Sequence, residues 1–365
     1  MNEILSTDGV SILARHIAAM TAAIASSGYK DSASSNEKGP PASVSSSRCE
    51  FRVNSLSPTS SSRSPKSLAS LAVKALAEEA ELTPKPALVD GRGPGAQADL
   101  LLSLMRRSAY SLAPFFELMA VTSLEQIPTQ TLREELGTIG RWAEHAMLEC
   151  TGQVNTHRGA IWSLGLLVSA AAMGAASLEA IVETARQLAC LPDSNAPKQQ
   201  SQGLQMARQY KVTGARGEAQ AGFPSIIAAG LPRLHLSRQV DESETLARLN
   251  ALLAIMTRLD DSCLLRGGGL AALKTAQDGA ESILEAGGVA TPEGWRLLQQ
   301  LDRDLLTLKS SPGGSADMLS ATIFLDYVSR NEELKYKGNF TGPASQKSSG
   351  ARRRTIFERA RGRTP

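Results

Sequence analysis

Apolar residues recur at intervals of three and four along most of this chain, and this spacing restricts the fold to packed helices. The string LASLAVKALAEEAEL at 68–82 is typical, because its larger apolar side chains share one face of a helix. These positions are Leu68, Leu71, Ala72, Ala75, Leu76 and Leu82. Glu79 falls on the same face, and we interpret it as lying at the edge of the buried surface.

Similar patterns fill the region from 67 to 330, with no strand-like segments between them. They cover 97–119, 129–149, 159–173, 177–190, 216–229, 241–261, 267–286, 292–309 and 315–329. Ala and Leu dominate the composition, aromatic residues make up only 4%, and alternating runs of β-branched residues are missing. This favours helices over sheets. We therefore predict an all-α protein with a single multi-helix bundle domain at 67–330.

The two ends of the chain differ in composition from this central region. The N-terminal extension at 1–66 is mostly Ser-rich and carries several prolines, so we expect it to be largely disordered. The segment at 331–365 ends in ARRRTIFERARGRTP, which predicts a basic, disordered and solubilising tail. We expect residues 26–66 and 345–365 to be dispensable for activity and stability.

Cysteine usage and hydropathy indicate a cytoplasmic protein. The four cysteines are scattered without a CxxC pair, which is typical of reduced thiols. The N-terminus lacks the basic and then apolar pattern of a signal peptide, and the longest apolar run, 161–176, is too short to span a bilayer. The net charge of +3 is too small to indicate nucleic acid. We therefore expect neither a membrane nor a nucleic acid as a partner.

Polar breaks marked by Gly or Pro separate the helical segments, at 83–99, 151–159, 214–218, 260–268 and 311–317. Three of them carry Arg-Gly at or near a helix start. Free backbone N–H groups and the helix dipole favour phosphate there, Gly allows close approach, and Arg adds a bidentate donor. The breaks predict one cleft that cradles a polyphosphate, although no Walker A loop is present. The predicted binding residues are Lys85, Asn155, Arg158, Gly159, Arg216, Gly217, Arg266, Gly313, Gly314 and Ser315.

Carboxylates and one histidine occur in or beside the same breaks. Adjacent Asp260 and Asp261 at a helix end oppose the helix dipole, and a bound Mg²⁺ bridging carboxylates and phosphates would offset that cost. We predict Mg²⁺ as the cofactor, with Asp260, Asp261 and Asp317 as its ligands. The catalytic candidates are Asp99, Glu144, His157 and Asp260. Of these, Glu144 taken alone fits a surface position beside His145 better than a catalytic one, and Asp99 fits a structural role as well as a catalytic one.

Taken together, the breaks resemble the triphosphoribosyl-dephospho-CoA synthase family (ATP:dephospho-CoA triphosphoribosyl transferases). The matching strings are ELTPKPALVD, GAQADL, AMLECTGQVNTHRGAIWSLGLL, YKVTGARGEAQAGFP, LLAIMTRLDDSCLLRGG and SPGGSADMLSATIFLD. They extend from about 68 to 328, and their number and order are more specific than any single motif. The strings around 156–167 and 311–326 look most like the malonate decarboxylase branch, rather than the citrate lyase branch.

This chain departs from the family pattern at a few positions. The family usually has Gly where Ala87 stands, and His where Gln97, Gln202 and Leu265 stand. The two Gln residues keep hydrogen bonding but do not titrate, so the family histidines are not proton-transfer groups here.

The resemblance implies a pentosyltransferase that takes ATP and 3′-dephospho-CoA. It would attach the triphosphoribosyl part of ATP to the 2′-hydroxyl of dephospho-CoA and release adenine. The product would be the precursor of a prosthetic group, which a separate transferase attaches to the acyl-carrier subunit of malonate decarboxylase.

Two other functions use some of the same features. An all-α, metal-dependent nucleotide hydrolase would need the same Arg and Asp residues but would send water to the bond. A helical protein that binds RNA through its basic tail would leave the interior Arg-Gly and Asp-Asp breaks unexplained, and it would have few aromatic residues for stacking.

Overall fold

The computed structural model describes residues 63–197, 201–240 and 242–338 of the chain. Most of the predicted N-terminal extension and the tail beyond 338 lie outside the described residues. Every regular element among the described residues is a helix, apart from an isolated bridge between Asp90 and Gly93. The predicted all-α class is therefore confirmed.

The helices follow one another with short connections. In chain order they are α1 (Pro65–Glu81), α2 (Leu102–Ser111), α3 (Ala113–Thr122), α4 (Gln130–Thr151), α5 (Arg158–Ala172), α6 (Leu178–Cys190), α7 (Gln202–Tyr210), α8 (Gly214–Gln220), a π-helical turn (Ile226–Gly230), α9 (Leu231–Gln239), α10 (Glu244–Met256), α11 (Ser262–Glu285), α12 (Pro292–Thr307) and α13 (Gly313–Gly338). None of these helices is both long enough and apolar enough to cross a bilayer.

The interior of the bundle is built around α5, α10 and α13. Helix α13 packs against α1, α5 and α10, and α5 also packs against α3, α4 and α6. Most side chains of α5 and α10 are buried around the whole helix, because both are rich in Ala, Leu, Ile and Val. The first and last described helices, α1 and α13, are therefore in direct contact.

The helix boundaries differ from the sequence pattern in places. Helices α7 and α9 were not predicted, and the segment expected to be one helix at 216–229 is divided. Helix α8 ends at Gln220, Phe223 takes a left-handed φ of 55°, and Pro224 follows. Helix α13 continues to Gly338, past the predicted domain end at 330.

Helix α11 starts earlier than expected and contains a break in its backbone. Gly268 and Gly269 depart from helical geometry, and Gly269 has φ 63° and ψ −153°, a conformation open essentially to Gly alone. A Cβ at Gly267 would lie 2.3 Å from the Ser310 hydroxyl oxygen. The kink therefore lets α11 pack closely on the turn that follows α12.

Candidate active site

The break at 151–160 turns the chain from α4 into the central helix α5. Gly152 ends α4 in the left-handed region, with φ 68°. Asn155 accepts a hydrogen bond from the backbone N–H of Arg158 at 3.2 Å, which satisfies one donor at the start of α5. His157 is buried at the N-cap position, with Nδ1 2.8 Å from the Ser108 hydroxyl. The turn thus holds the start of α5 in place.

His157 is enclosed so completely that it stays neutral. Burial, followed by the charge of Lys85, lowers the pKa of the imidazole to about 3. Its Nε2 is buried and has no hydrogen-bond partner among the described residues. The predicted catalytic role is untested, but the geometry shows a neutral side chain that supports the turn.

The carboxylate of Asp317 lies against the start of α5. A Cβ added at Gly159 would lie 2.1 Å from Oδ2 of Asp317, so only Gly leaves room for it. The backbone N–H of Ala160 donates to the same carboxylate. Burial raises the pKa of Asp317 well above its ordinary value, and the carboxylates of Glu79 and Asp261 raise it further. A cation at this position would relieve that concentration of negative charge.

Asp261 joins the starts of two helices. It caps α11 by accepting from the backbone N–H of Cys263 at 2.9 Å. It also accepts from the N–H groups of Gly314 and Ser315 at 3.2 and 2.7 Å, and from the Ser315 hydroxyl at 2.9 Å. These four donors occupy both carboxylate oxygens. The first-turn donors of α13, predicted to face a phosphate, are thus already engaged by the protein.

Asp260 has a different environment from its neighbour. It is partly exposed, and it has no hydrogen-bond or ion-pair partner among the described residues. Asp260, Asp261 and Asp317 line one small pocket together with Ala215 of α8 and Gly314 of α13. The structure therefore brings together the breaks that precede α5, α8, α11 and α13.

The predicted Mg²⁺ can be tested against these donors. No group of three His, Cys, Asp or Glu side chains in the described ranges is arranged to hold a metal ion. Mg²⁺ commonly binds through one or two carboxylates together with substrate phosphates and water. Asp260 and Asp317 supply that number of oxygen donors at the pocket, whereas Asp261 has no lone pair left for a metal. The pocket fits a substrate-bridged Mg²⁺ and offers no all-protein cage.

Arginines gather around Trp162 beside this pocket. Arg158 forms an ion pair with Glu144 (Nε–Oε2 2.9 Å), and both side chains are about one-third exposed. Arg133 lies 5.0 Å from the centre of the Trp162 ring. Burial is the largest cause of the lowered pKa of Arg133, and the charges of Arg216 and Arg141 lower that pKa further. The Trp162 indole N–H donates to the carbonyl of Ala215, a residue of the pocket. In this arginine rim Arg133 and Arg141 already pair with Asp193, and Arg158 pairs with Glu144. Arg216 is exposed and has no carboxylate partner among the described residues, so a polyanion would meet the rim chiefly at Arg216 and at the exposed part of Arg158.

Glu144 sits at the edge of the arginine rim. Burial raises the pKa of its carboxyl, while the charge of Arg158 lowers it. Glu144 is thus partly exposed, as the surface alternative predicted, but its ion pair also orients Arg158.

Lys85 is placed differently from a phosphate ligand. Its ammonium is buried and lies 2.6 Å from Oε1 of Glu79, and it also donates to the Glu79 carbonyl at 2.7 Å. Glu79 is itself buried, so the prediction that it lies at the edge of the apolar surface is wrong. The ion pair explains why a charged residue is tolerated there, since each buried charge has its partner. Lys85 fixes the end of α1 in the bundle.

The remaining predicted residues lie on the surface. Arg266 is exposed, and its Nη1 donates to the Gln202 side-chain oxygen at 2.7 Å. Asp99 is exposed in the turn before α2, and it does not line the acidic pocket. Gly217 packs against Thr213, with a hypothetical Cβ 2.4 Å from that side chain.

Several residues that shape the site had no clear signal in the sequence. Arg133, Arg141 and Trp162 lie inside helices rather than in the breaks, and Ser108 contacts His157 from α2. Only the spatial neighbourhood of α2, α4 and α5 reveals them.

The fold and this pocket define an all-α enzyme whose carboxylates gather at helix starts, with arginines on the neighbouring helices. A family profile described as ATP:dephospho-CoA triphosphoribosyl transferase matches residues 65–336. The chain belongs to this family, as its motifs predicted, and the match covers nearly all of the described residues.

Individual relatives agree with the family assignment. A Pseudomonas fluorescens protein named probable 2-(5″-triphosphoribosyl)-3′-dephosphocoenzyme-A synthase is 50% identical over 293 residues, which is 79% of this chain and 99% of the relative. A Klebsiella pneumoniae protein named 2-(5″-triphosphoribosyl)-3′-dephosphocoenzyme-A synthase is 50% identical over 278 residues, 76% of this chain and 99% of the relative. No solved structure matches the chain.

Proposed function

We propose that this enzyme joins the triphosphoribosyl part of ATP to the 2′-hydroxyl of 3′-dephospho-CoA and releases adenine. The family description names ATP, dephospho-CoA and the triphosphoribosyl group, which supports both substrates. The observation that carries the proposal is the pocket lined by both Asp260, just before α11, and Asp317, which lies on α13 against the start of α5.

Carboxylates suit this reaction because of the charge that develops on the sugar. Breaking the bond between C1′ of the ribose and adenine leaves an oxocarbenium-like centre at C1′, as in glycoside cleavage. Negative side chains beside that centre stabilise the transition state more than the ground state. Asp260 and Asp317 are the carboxylates that the pocket presents for this purpose.

The proton balance assigns a role to Asp260. The 2′-hydroxyl oxygen of the acceptor bonds to C1′ and loses its proton, while the leaving adenine gains one. Asp260 has no competing partner among the described residues and is partly exposed, which supports a role as the acceptor of the hydroxyl proton. Asp261, with four donors on its oxygens, positions Asp260 and α13 instead.

The triphosphate requires positive charge on the other side of the sugar. Arg158 and Arg216 are partly or fully exposed at the arginine rim, so they are the side chains that would hold it. Asp317, with Asp260 as a second donor, would hold Mg²⁺, which neutralises phosphate charge when bound. Glu144 keeps Arg158 oriented through their ion pair.

We assign the product to the malonate decarboxylase pathway as the precursor of its prosthetic group, and the reaction to the cytoplasm. The wording of the motifs at 156–167 and 311–326 supports this branch. The acyl-carrier subunit would then meet the product through a separate transferase.

The direct test incubates the pure protein with ATP, Mg²⁺ and dephospho-CoA, and follows adenine by chromatography and the coupled product by mass. We expect adenine release to require dephospho-CoA. Equal release without the acceptor would instead identify a nucleotide hydrolase, and no release in either case would refute both functions.

Two variants separate the roles assigned to the carboxylates. Asp260→Asn should lower turnover about 10²–10³-fold even at saturating Mg²⁺, because the proton acceptor is lost, whereas excess Mg²⁺ should recover part of the activity of Asp317→Asn. Asp278→Asn is the matched control, because Asp278 is exposed on α11 and pairs with Lys274. Wild-type turnover in both site variants would contradict the assignment.

A further inference from the structure

A second cavity lies on the outside of the bundle, between the π-helical turn, α9 and the end of α10. It is an open groove of about 310 Å³, within the size range of ligand sites. Apolar atoms of Ala228, Leu236 and Ala254 form much of its wall. Leu236 is about half exposed, so the groove presents apolar surface to solvent. Arg233 and Arg258 add two positive charges to the same wall.

Arg233 is held in place but has no polar partner. Its Nε is buried, and its guanidinium makes no hydrogen bond or ion pair with the residues that the structure describes. Gly288, with φ 82°, leaves room for this guanidinium, because a Cβ at position 288 would lie 2.7 Å from Nη2 of Arg233. Arg233 also lines the groove, so its unpaired positive charge is available there to an anionic ligand.

Arg258 connects the groove to the acidic pocket. Its guanidinium is exposed and likewise has no carboxylate partner within the described ranges. Thr257 and Arg258 line the groove, and the next residues of the chain, Leu259 and Asp260, line the pocket. A ligand lying in the groove therefore ends close to the proposed proton acceptor.

We propose that this groove binds the pyrophosphate and pantetheine arm of dephospho-CoA, an inference that rests on the function proposed above. The two arginines match the two phosphates, and the apolar wall matches the extended arm. The 2′-hydroxyl is separated from the pyrophosphate by only the ribose, so a pyrophosphate at Arg258 places the hydroxyl near Asp260. The triphosphate of ATP occupies the arginine rim around Trp162, which leaves this groove to the acceptor.

Binding is measured by isothermal titration of dephospho-CoA and, separately, of ATP with Mg²⁺, so that no turnover is needed. Arg233→Gln and Arg258→Gln should each weaken dephospho-CoA binding about tenfold to a hundredfold and leave ATP binding unchanged. Arg107→Gln on α2 is the charge-matched control, because Arg107 is exposed and α2 packs on α1 and α4 instead of α9 and α10.

A steric variant protects the test against misfolding of the arginine variants. Ala228→Trp fills the groove from an exposed position and keeps both charges, so it should weaken dephospho-CoA binding with an unchanged melting temperature. Wild-type affinity for dephospho-CoA in all three variants, or a loss of ATP affinity instead, would overturn the groove assignment and leave the proposed function standing. A wild-type protein that binds no dephospho-CoA and makes no product would overturn the proposed function itself.

Discussion

At the scale of single residues, Ala87 shows how a departure from the family pattern is accommodated. Its φ is 52°, in the left-handed region where Gly is usual, and the family motif has Gly at this position. The residue is buried, and its N–H donates to the Asp302 carboxylate at 2.7 Å. The left-handed backbone costs about 1–2 kcal/mol for a residue with a Cβ, which the packing of the methyl group and the hydrogen bond offset.

We expect Ala87→Gly to change the free energy of unfolding by less than about 1 kcal/mol, because relief of the backbone offsets the lost methyl contact and the added chain entropy. Ala80→Gly is the matched control: Ala80 is equally buried but lies inside the helix α1. There the same change should destabilise by about 1.5–2 kcal/mol. Urea unfolding of both variants checks this, and equal losses would argue against strain at Ala87.

His157 predicts a pH dependence of stability. Its pKa is lowered to about 3 in the folded protein, against about 6.5 for an unperturbed histidine. Between these values the unfolded chain binds a proton that the folded protein does not, so stability falls as the pH drops below about 6.5, by up to about 1.4 kcal/mol per pH unit. In His157→Asn this contribution disappears. The free energy of unfolding of wild type should therefore exceed that of the variant by less at pH 5 than at pH 7.

Urea unfolding at several pH values measures that gap. His145→Asn provides the control for the loss of an exposed imidazole, one that lies 3.6 Å from Glu149. Parallel profiles for wild type and His157→Asn would show that the buried imidazole is not the cause.

At the scale of helices, Asp261 holds the starts of α11 and α13 together. Asp261→Asn removes acceptor capacity and turns an amide N–H toward backbone donors, so we expect a loss of about 2–4 kcal/mol in the free energy of unfolding. Asp260→Asn next to it should stay within about 0.5 kcal/mol of wild type. Chemical denaturation of the two variants tests the contrast, and similar stabilities would mean that the four hydrogen bonds contribute little.

The helices show what the sequence could and could not predict. Periodicity located α1, α5, α6 and α12 to within a few residues, because each has one clear apolar side or is apolar throughout. Helix α7 escaped it, since only Ala207 is fully buried there. Helix α9 was also missed, although Pro232 lies in its first turn, where a proline is favourable.

The site was predictable in part for the same reason. Breaks marked by Gly and Pro identified Asp260, Asp317 and Gly159, which the fold does bring together. Lys85 can be buried because it pairs with Glu79, and the carboxylate of Asp261 has no free acceptor site because Ser315 donates to it. Each partner lies on another element, and no local sequence pattern encodes such pairings.

At the scale of the whole molecule, the family match at 65–336 contains every residue of the proposed site. Arg63 marks a natural start, because its guanidinium donates to the carbonyl of Ala175. We expect a chain of residues 63–338 to keep the melting temperature and turnover of the full-length protein. Calorimetry and the adenine assay check this, with a full-length sample prepared in parallel, and a large loss of either would show that the removed segments support the domain.

The contact between α1 and α13 also determines when this enzyme acquires its activity during synthesis. The ribosome delivers Glu79 early and Asp317 near the end, yet the charge of one acts on the carboxyl of the other in the finished pocket. The nascent chain therefore holds no complete pocket until α13 has emerged, and a fragment cut before α13 lacks three of the eight residues that line it.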